Sequence, residues 1–409
     1  MPERKTYRCV ISGEEFENPG SAMQYGRRAY GDDWKEYDGV LTDIGPVSGL
    51  CVPVYQKALD ELVFDPMVGN LRKAVAKRVR DVAFVERTLF EVARDDVFGI
   101  LDSADPANFH LAVRQLKSIF LKGIDLHKVD VNRCFGKGLS LNKALACMNE
   151  STRTMAFINA VLAAVSELDE SYPYGYEVVD AGCGPIPLFG LVAALKSEKA
   201  IVTCLEYNPE SVEVARRIVK NMGLSDRVKI VDVDAVEYRH EKPIDLLVSE
   251  TMYSGLLNGE EMVQILDNLT SQTSDGAKVI PGLITVNAGI SNPSIGGERI
   301  SIDRDMVVPF ERKYEYGPGK RKGAPVRFEI PLDGLETGRD YQLALSSDVF
   351  VDDKNILSGH DSSIVSPIRV AGTRFFIDGD PVKKVLRVLY MPGSDDNYVM
   401  SNVVEKDNS

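Results

Sequence analysis

The 409-residue chain holds only four histidines (110, 127, 240 and 360) and six cysteines (9, 51, 134, 147, 183 and 204). No HxxxH, HExxH or CxxC pair occurs among them, so the common zinc spacings are excluded and no metal is expected. Cysteines scattered without a framework rhythm read as reduced thiols, most of them buried. Long apolar runs are missing as well. No stretch reaches the ~18 residues that a membrane span needs, and the first twenty residues hold no apolar leader core. A cytoplasmic protein with no membrane partner is expected. Positive charge is in deficit, with 48 Lys and Arg against 61 Asp and Glu and a formal net charge of −13. A nucleic-acid carrier presents a basic face, so nucleic acid is not an expected partner. The basic run GKRKG (319–323) reads as a solvated loop.

What is present suits more than one domain, because a single core rarely organises a chain this long. Residues 54–64, 70–101 and 108–124 carry apolar residues three and four apart, the stripe of packed helices. They imply a mainly helical N-terminal domain over 1–145. From 146 to 280 the rhythm alternates strand and helix, with buried strands expected at 176–182, 200–208, 227–235 and 244–250. That alternation predicts an α/β, Rossmann-like core with a parallel sheet. In its fourth segment Asn208 caps a helix that begins at Pro209 and stops at Gly223. Past 281, short alternating runs broken by Gly, Pro and Asp predict an antiparallel β C-terminal domain over 281–409.

The turn DAGCGPIPLFG (180–190) stands between the first strand and its helix. Gly182 and Gly184 let a ligand approach bare backbone behind Asp180. A dinucleotide enzyme requires a third glycine at the position of Pro187, so that a pyrophosphate can rest on the helix N-terminus. A cofactor without phosphate, S-adenosylmethionine, needs no such cradle. Two further acids favour it. Glu206 ends the second strand, where a carboxylate accepts from both ribose hydroxyls. Asp234 ends the third, placed to accept from an adenine amino group, with small Ala235 beside it. Acids at three successive strand ends share the ligand-binding edge of such a sheet.

With these residues the chain resembles the class I methyltransferases, and among them the protein arginine methyltransferases, over about 146–290. MNESTRTMAFINAV (148–161) is similar to the family's segment before the first strand, and the match implies that Arg153 binds the cofactor carboxylate. VDAGCGPIP corresponds to the glycine loop, LEYN to the ribose-binding acid, and VKIVDVDAVEY to the adenine strand. IDLLVSETMYSGLLNGE (244–260) resembles the hairpin carrying two glutamates around the target guanidinium. KVIPGLITV (278–286) resembles the entry into the family's β domain. The departures are specific. Ile186 replaces a loop glycine and Thr251 a tryptophan. Gly259 falls where the second glutamate belongs, with Glu260 one residue later. No Thr-His-Trp loop is found, and His360 reads as a polar loop residue. No segment matches the dimerisation arm, which leaves a homodimer open.

The resemblance implies methyl transfer, an in-line displacement in which the protein mainly aligns the partners and excludes water. A protonated guanidinium is a poor nucleophile, and a carboxylate beside it can hold it and assist proton loss. Glu250 is the expected catalytic group. Glu260 stands equally as a second glutamate or as a helix N-terminal acid. Tyr253 and Asn258 are expected to line the acceptor pocket. The acceptor is a free amino or guanidino metabolite or a protein arginine. Two alternatives stay open: transfer or cyclisation of the aminocarboxypropyl arm, and a binding module without turnover.

Overall fold

The computed structural model describes residues 138–257, 261–293, 300–301, 305–319, 325–392 and 399–406, with positions 7–8, 15–16, 117 and 120 further upstream. The sequence-predicted helices at 54–64 and 70–101 lie outside the described residues. So do Asn258, Glu260 and most of the basic run after Gly319. Two short strands, β1 (Tyr7–Arg8) and β2 (Glu15–Phe16), pair antiparallel.

Five parallel strands form the centre: β3 (Tyr176–Ala181), β4 (Ala200–Glu206), β5 (Val228–Asp232), β6 (Ile244–Ser249) and β7 (Thr273–Ile280). Their order across the sheet is β5-β4-β3-β6-β7. Every residue of β3 and β6 is buried. Both therefore read as near-continuous apolar runs, as strands covered on two faces must. The chain leaves β3 toward β4 on one side and returns to β6 on the other. That reversal opens a crevice at the carboxyl ends of β3 and β6, where ligands bind in open sheets of this kind.

The helices follow from local chemistry. Helix α1 (Leu141–Cys147) and the 21-residue α2 (Ser151–Ser171) precede the sheet. On α2 the buried positions Ala156, Phe157, Ala160, Val161, Ala164, Val165 and Leu168 recur at three- and four-residue spacing. Phe157 stacks on Phe189 of α3 (Leu188–Lys196) with centroids 5.5 Å apart. Helix α4 (Pro209–Asn221) is capped by Asn208, whose side chain accepts from the N–H groups of Glu210 and Ser211. A cap of this kind stabilises by about 1 kcal/mol. Beyond it Gly223 takes φ +70°, the left-handed stop the sequence predicts. Phe120 is buried, its carbonyl accepts from Arg217 of α4, and Lys117 donates to the Leu145 carbonyl at 2.6 Å. The run at 108–124 is thereby tied to α1 and α4 at these two positions.

The β-rich part is two antiparallel sheets. One joins β8 (Leu283–Ser291), β9 (Met306–Tyr316), β11 (Asp340–Phe350), β12 (Ile356–Leu357) and β13 (Ile368–Phe376). The other joins β10 (Val326–Pro331), β14 (Lys384–Tyr390) and β15 (Val399–Glu405). Strands β9 and β15 lie outside the segments that the sequence pattern picks out. Both are half-exposed and carry charges, and β9 contains Pro309, so each looks like a loop to a hydrophobicity count. The third sheet strand is also shorter than expected. It stops at Asp232, and Asp234 sits in the following turn, where its Oδ1 accepts from Val236 N–H at 2.9 Å. No helix among the described residues is long and apolar enough to cross a membrane.

One contact measures how tightly α3 seats on the sheet. A Cβ built on Gly190 would lie 2.5 Å from Cys204 Sγ and 3.0 Å from Val202 Cγ1, both on β4. Replacing Gly190 by Ala overpacks this joint and should destabilise the fold by about 1–3 kcal/mol. In denaturant melts a second change, Cys204→Ala, should recover part of that loss. Equal and additive losses would show that the joint has slack.

Candidate active site at the sheet's carboxyl edge

The turn after β3 folds as its glycines require. Gly182 and Gly184 take φ +75° and +68°, where a side chain is strained. Gly182 and Cys183 donate their N–H groups to the Leu205 carbonyl at 2.9 and 3.0 Å, binding the turn to the end of β4. The missing side chain of Gly182 also serves packing. An added Cβ would stand 2.2 Å from Thr251 Cγ2, so the turn lies directly against the loop that follows β6. Gly184 is more open, its nearest such neighbour being Ala144 of α1 at 3.9 Å.

Two acids, Asp180 and Glu206, bond the backbone of this turn. Asp180 is buried and its Oδ2 accepts from Gly190 N–H at 3.0 Å. Glu206 accepts from Gly184 N–H at 2.8 Å through one carboxylate oxygen and from Asn208 N–H at 2.7 Å through the other. Asp234 stands on the neighbouring turn beside buried Ala235, whose carbonyl accepts from Asn268 at 2.9 Å. The start of α3 is already used: Leu188 N–H bonds to the Ile186 carbonyl at 2.7 Å, and Gly190 N–H bonds to Asp180. Pro187 has no N–H to offer. A phosphate would meet occupied amides and two carboxylates here, the reverse of a phosphate cradle. Carboxylate acceptors fit the hydroxyl and amino donors of an uncharged ribose and adenine.

A second cluster lies beside the first. Glu250 directly follows β6, and its Oε1 is 3.3 Å from Arg153 Nη1. The Arg153 side chain, 3% exposed, also donates to the Cys147 carbonyl at 2.6 Å and lies 3.8 Å from Glu150 Oε1. Ser362 Oγ, Ser363 Oγ and Ser363 N–H all donate to the Glu150 carboxylate, the last at 2.8 Å. The two sequence-predicted residues with separate roles, Arg153 and Glu250, are thus direct partners. Glu150, Ser362 and Ser363 were missed by sequence reasoning. Glu150 had one available signal, its position three residues before Arg153 on the same helical side. His360, in the same loop, is exposed. Tyr253 is 41% exposed, next to fully buried Ser254.

The charges follow from burial. Burial pushes the Glu250 carboxyl up; Arg153 opposes this and Glu150 adds to it. Burial also works against Glu150, but the Arg153 charge and the serine hydrogen bonds outweigh it and hold that carboxyl below its usual range. Asp180 is pushed up to about 7, mainly by burial, with Gly190 N–H opposing and Glu206 adding.

The Asp180 shift sets a pH dependence. Its native pKa stands above the unfolded value of roughly 3.9, so the native state keeps a proton that the unfolded chain releases. Stability from this group is complete below about pH 4 and is lost as pH rises toward 7. The melting temperature of the parent protein should therefore fall between pH 4 and 7 more steeply than that of Asp180→Asn. Parallel curves would mean that Asp180 is ionised throughout.

Part of the chain is similar to known methyltransferases. Residues 160–251 match the family model of the methyltransferase small domain. An arginine N(omega)-methyltransferase of Streptomyces achromogenes subsp. streptozoticus is 29% identical over 116 residues, 27% of this chain and 30% of that protein. Protein arginine N-methyltransferase 2 of Xenopus tropicalis is 30% identical over 126 residues, 30% of this chain and 27% of that protein. The chain thus spans under a third of the length of each of these curated relatives. A solved Trypanosoma brucei PRMT1 enzyme–prozyme heterotetrameric complex with AdoHcy covers 63% of this chain and 96% of its own at 15% identity and a TM-score of 0.44. Within its Rossmann-like segment the chain matches the methyltransferase small domain, and over 27–30% of its length it is similar to arginine methyltransferases.

Proposed function

We propose that the protein is an S-adenosylmethionine-dependent N-methyltransferase acting on a guanidino or amino nitrogen. The acceptor is a free arginine-like metabolite or a protein arginine. The observation that carries this reading is the Glu250 carboxylate, fixed by buried Arg153 at the sheet's carboxyl edge and in a loop packed on the glycine turn. Both curated relatives are named as arginine methyltransferases.

In this reading Glu206 holds the ribose hydroxyls and Asp234, with Ala235, the adenine. Gly182 and Gly184 form the turn behind Asp180, and Arg153 binds the cofactor carboxylate while keeping Glu250 as a partner. Bound S-adenosylmethionine supplies a methyl group on a sulfonium, open to in-line attack. The chain's own part is placement and charge. Glu250 and Glu150 put one more carboxylate than guanidinium into the cluster, which suits a cationic acceptor. Glu250 accepts hydrogen bonds from the acceptor nitrogens and draws positive charge away from the attacking one. Its raised pKa makes it a better proton acceptor than an exposed glutamate. Tyr253, Asn258 and Glu260 complete the acceptor side. Cytoplasmic residence belongs to the same reading, consistent with the free thiols of Cys147, Cys183 and Cys204. A homodimer is part of it as well.

Two substitutions separate binding from chemistry. Glu206→Gln should weaken S-adenosylmethionine binding in calorimetry by about tenfold or more, the loss of one charge-assisted interaction. Glu250→Gln should leave that affinity within a few-fold and cut the release of S-adenosylhomocysteine by roughly 10²–10⁴. Unchanged turnover in Glu250→Gln would remove that residue from the mechanism. Methylthioadenosine as the product would replace methyl transfer by transfer or cyclisation of the aminocarboxypropyl arm.

A further inference from the structure

The loop that leaves Glu250 passes through a turn its own sequence does not favour. Gly255 stands at φ +69° and Leu256 at φ +47°. A left-handed leucine is an outlier that costs about 1–3 kcal/mol and persists only where its surroundings impose it. Leu256 is fully buried, so the conformation is held from outside.

The holding groups come from the β-rich part of the chain. Gly255 N–H donates to Ser347 Oγ on β11 at 2.9 Å. Tyr390 Oη on β14 donates to the Gly255 carbonyl at 2.8 Å. Ser254 Oγ donates to the Ser366 carbonyl at 2.6 Å. Strand β11 belongs to the five-stranded antiparallel sheet and β14 to the three-stranded one. The N–H and C=O of Gly255 are therefore gripped by side chains of different sheets. Contact is close enough that a Cβ on Gly255 would lie 2.8 Å from Leu345 Cβ. Beyond the turn, Tyr316 on β9 donates to the Val263 carbonyl at 2.9 Å and to Asp267 at 2.7 Å, both on α5 (Glu261–Thr270).

We propose that Ser347 and Tyr390 are positioning residues for Glu250: by clamping the Gly255 peptide from both sides, the two antiparallel sheets fix where the Glu250 carboxylate stands. The inference rests on Glu250 acting on the acceptor, as proposed above. Arg153 of α2 holds the carboxylate at 3.3 Å. The clamp fixes the backbone five residues on, which leaves the loop little freedom between two anchors. A displacement of about 1 Å at a reacting group can cost up to ~10²-fold in rate, so the clamp acts on kcat and not on cofactor affinity.

The test uses the full chain with Tyr390→Phe, which keeps the ring and removes the hydroxyl, and Ser347→Ala, singly and together. Hydrogen exchange over 250–257 should quicken by about tenfold or more in the double variant. Exchange in β3 and β4 should stay as in the parent, and so should binding of S-adenosylhomocysteine. With a turned-over acceptor, kcat should fall about tenfold with the acceptor KM little changed. Unchanged exchange over 250–257 overturns the clamp, whatever the acceptor. Faster exchange with unchanged kcat overturns the positioning role. If the parent protein turns over no acceptor, the methyltransferase reading fails, and the exchange measurement still decides whether the clamp exists.

Discussion

The buried guanidinium of Arg153 is the constraint on which the site depends. A charge that is 3% exposed is tolerated only with partners, and its partners come from two stretches of chain, residues 147–150 and the loop after β6. Glu150 belongs to the same helical start, Glu250 to the loop after β6, and the Cys147 carbonyl to the end of α1. Glu150 is held in turn by Ser362 and Ser363, so the loop between β12 and β13 joins the same network. Removing one member would leave a buried charge uncompensated. The network therefore fixes several loops at once, and local propensity alone fixes none of them.

The glycine turn and the Glu250 loop form one object. Thr251 packs into the space left by Gly182, and Ser249 Oγ bonds the Ala181 carbonyl at 3.2 Å and Thr251 Oγ1 at 3.1 Å. A tryptophan in place of Thr251 could not occupy that gap without moving the turn. The departure from the resembled family at Thr251 is thus matched by close packing in this chain. On the other face Asp180 spends its acceptor on Gly190, closing the start of α3 to phosphate. Elementary hydrogen-bond accounting separates the two cofactor classes that a glycine turn alone leaves open.

Much of the core was legible because its signals are local. Buried β3 and β6 read as apolar runs, Asn208 and Pro209 announced a helix, and Asp180, Glu206 and Glu250 each stand at or near a strand end. Asp234 came out two residues past its strand, an ordinary boundary shift. What stayed hidden is non-local. Ser362 and Ser363 are 212 and 213 positions from Glu150, and no periodicity encodes a meeting of that kind. Ser347 and Tyr390 look like ordinary strand residues until the sheets bring them to Gly255. Among the missed strands, β9 and β15 fail the hydrophobic pattern because solvent covers half of each.

The central claim is transfer of a methyl group to a guanidino or amino nitrogen. The most direct measurement is incubation of the full chain with S-adenosylmethionine against free arginine, other amino acids and an arginine-rich peptide, with every product identified by mass spectrometry. Methyl transfer yields S-adenosylhomocysteine together with an acceptor that carries a methyl group in place of a hydrogen on a side-chain or amino nitrogen. Methylation at oxygen or carbon, or S-adenosylmethionine left intact with every acceptor, would contradict the claim.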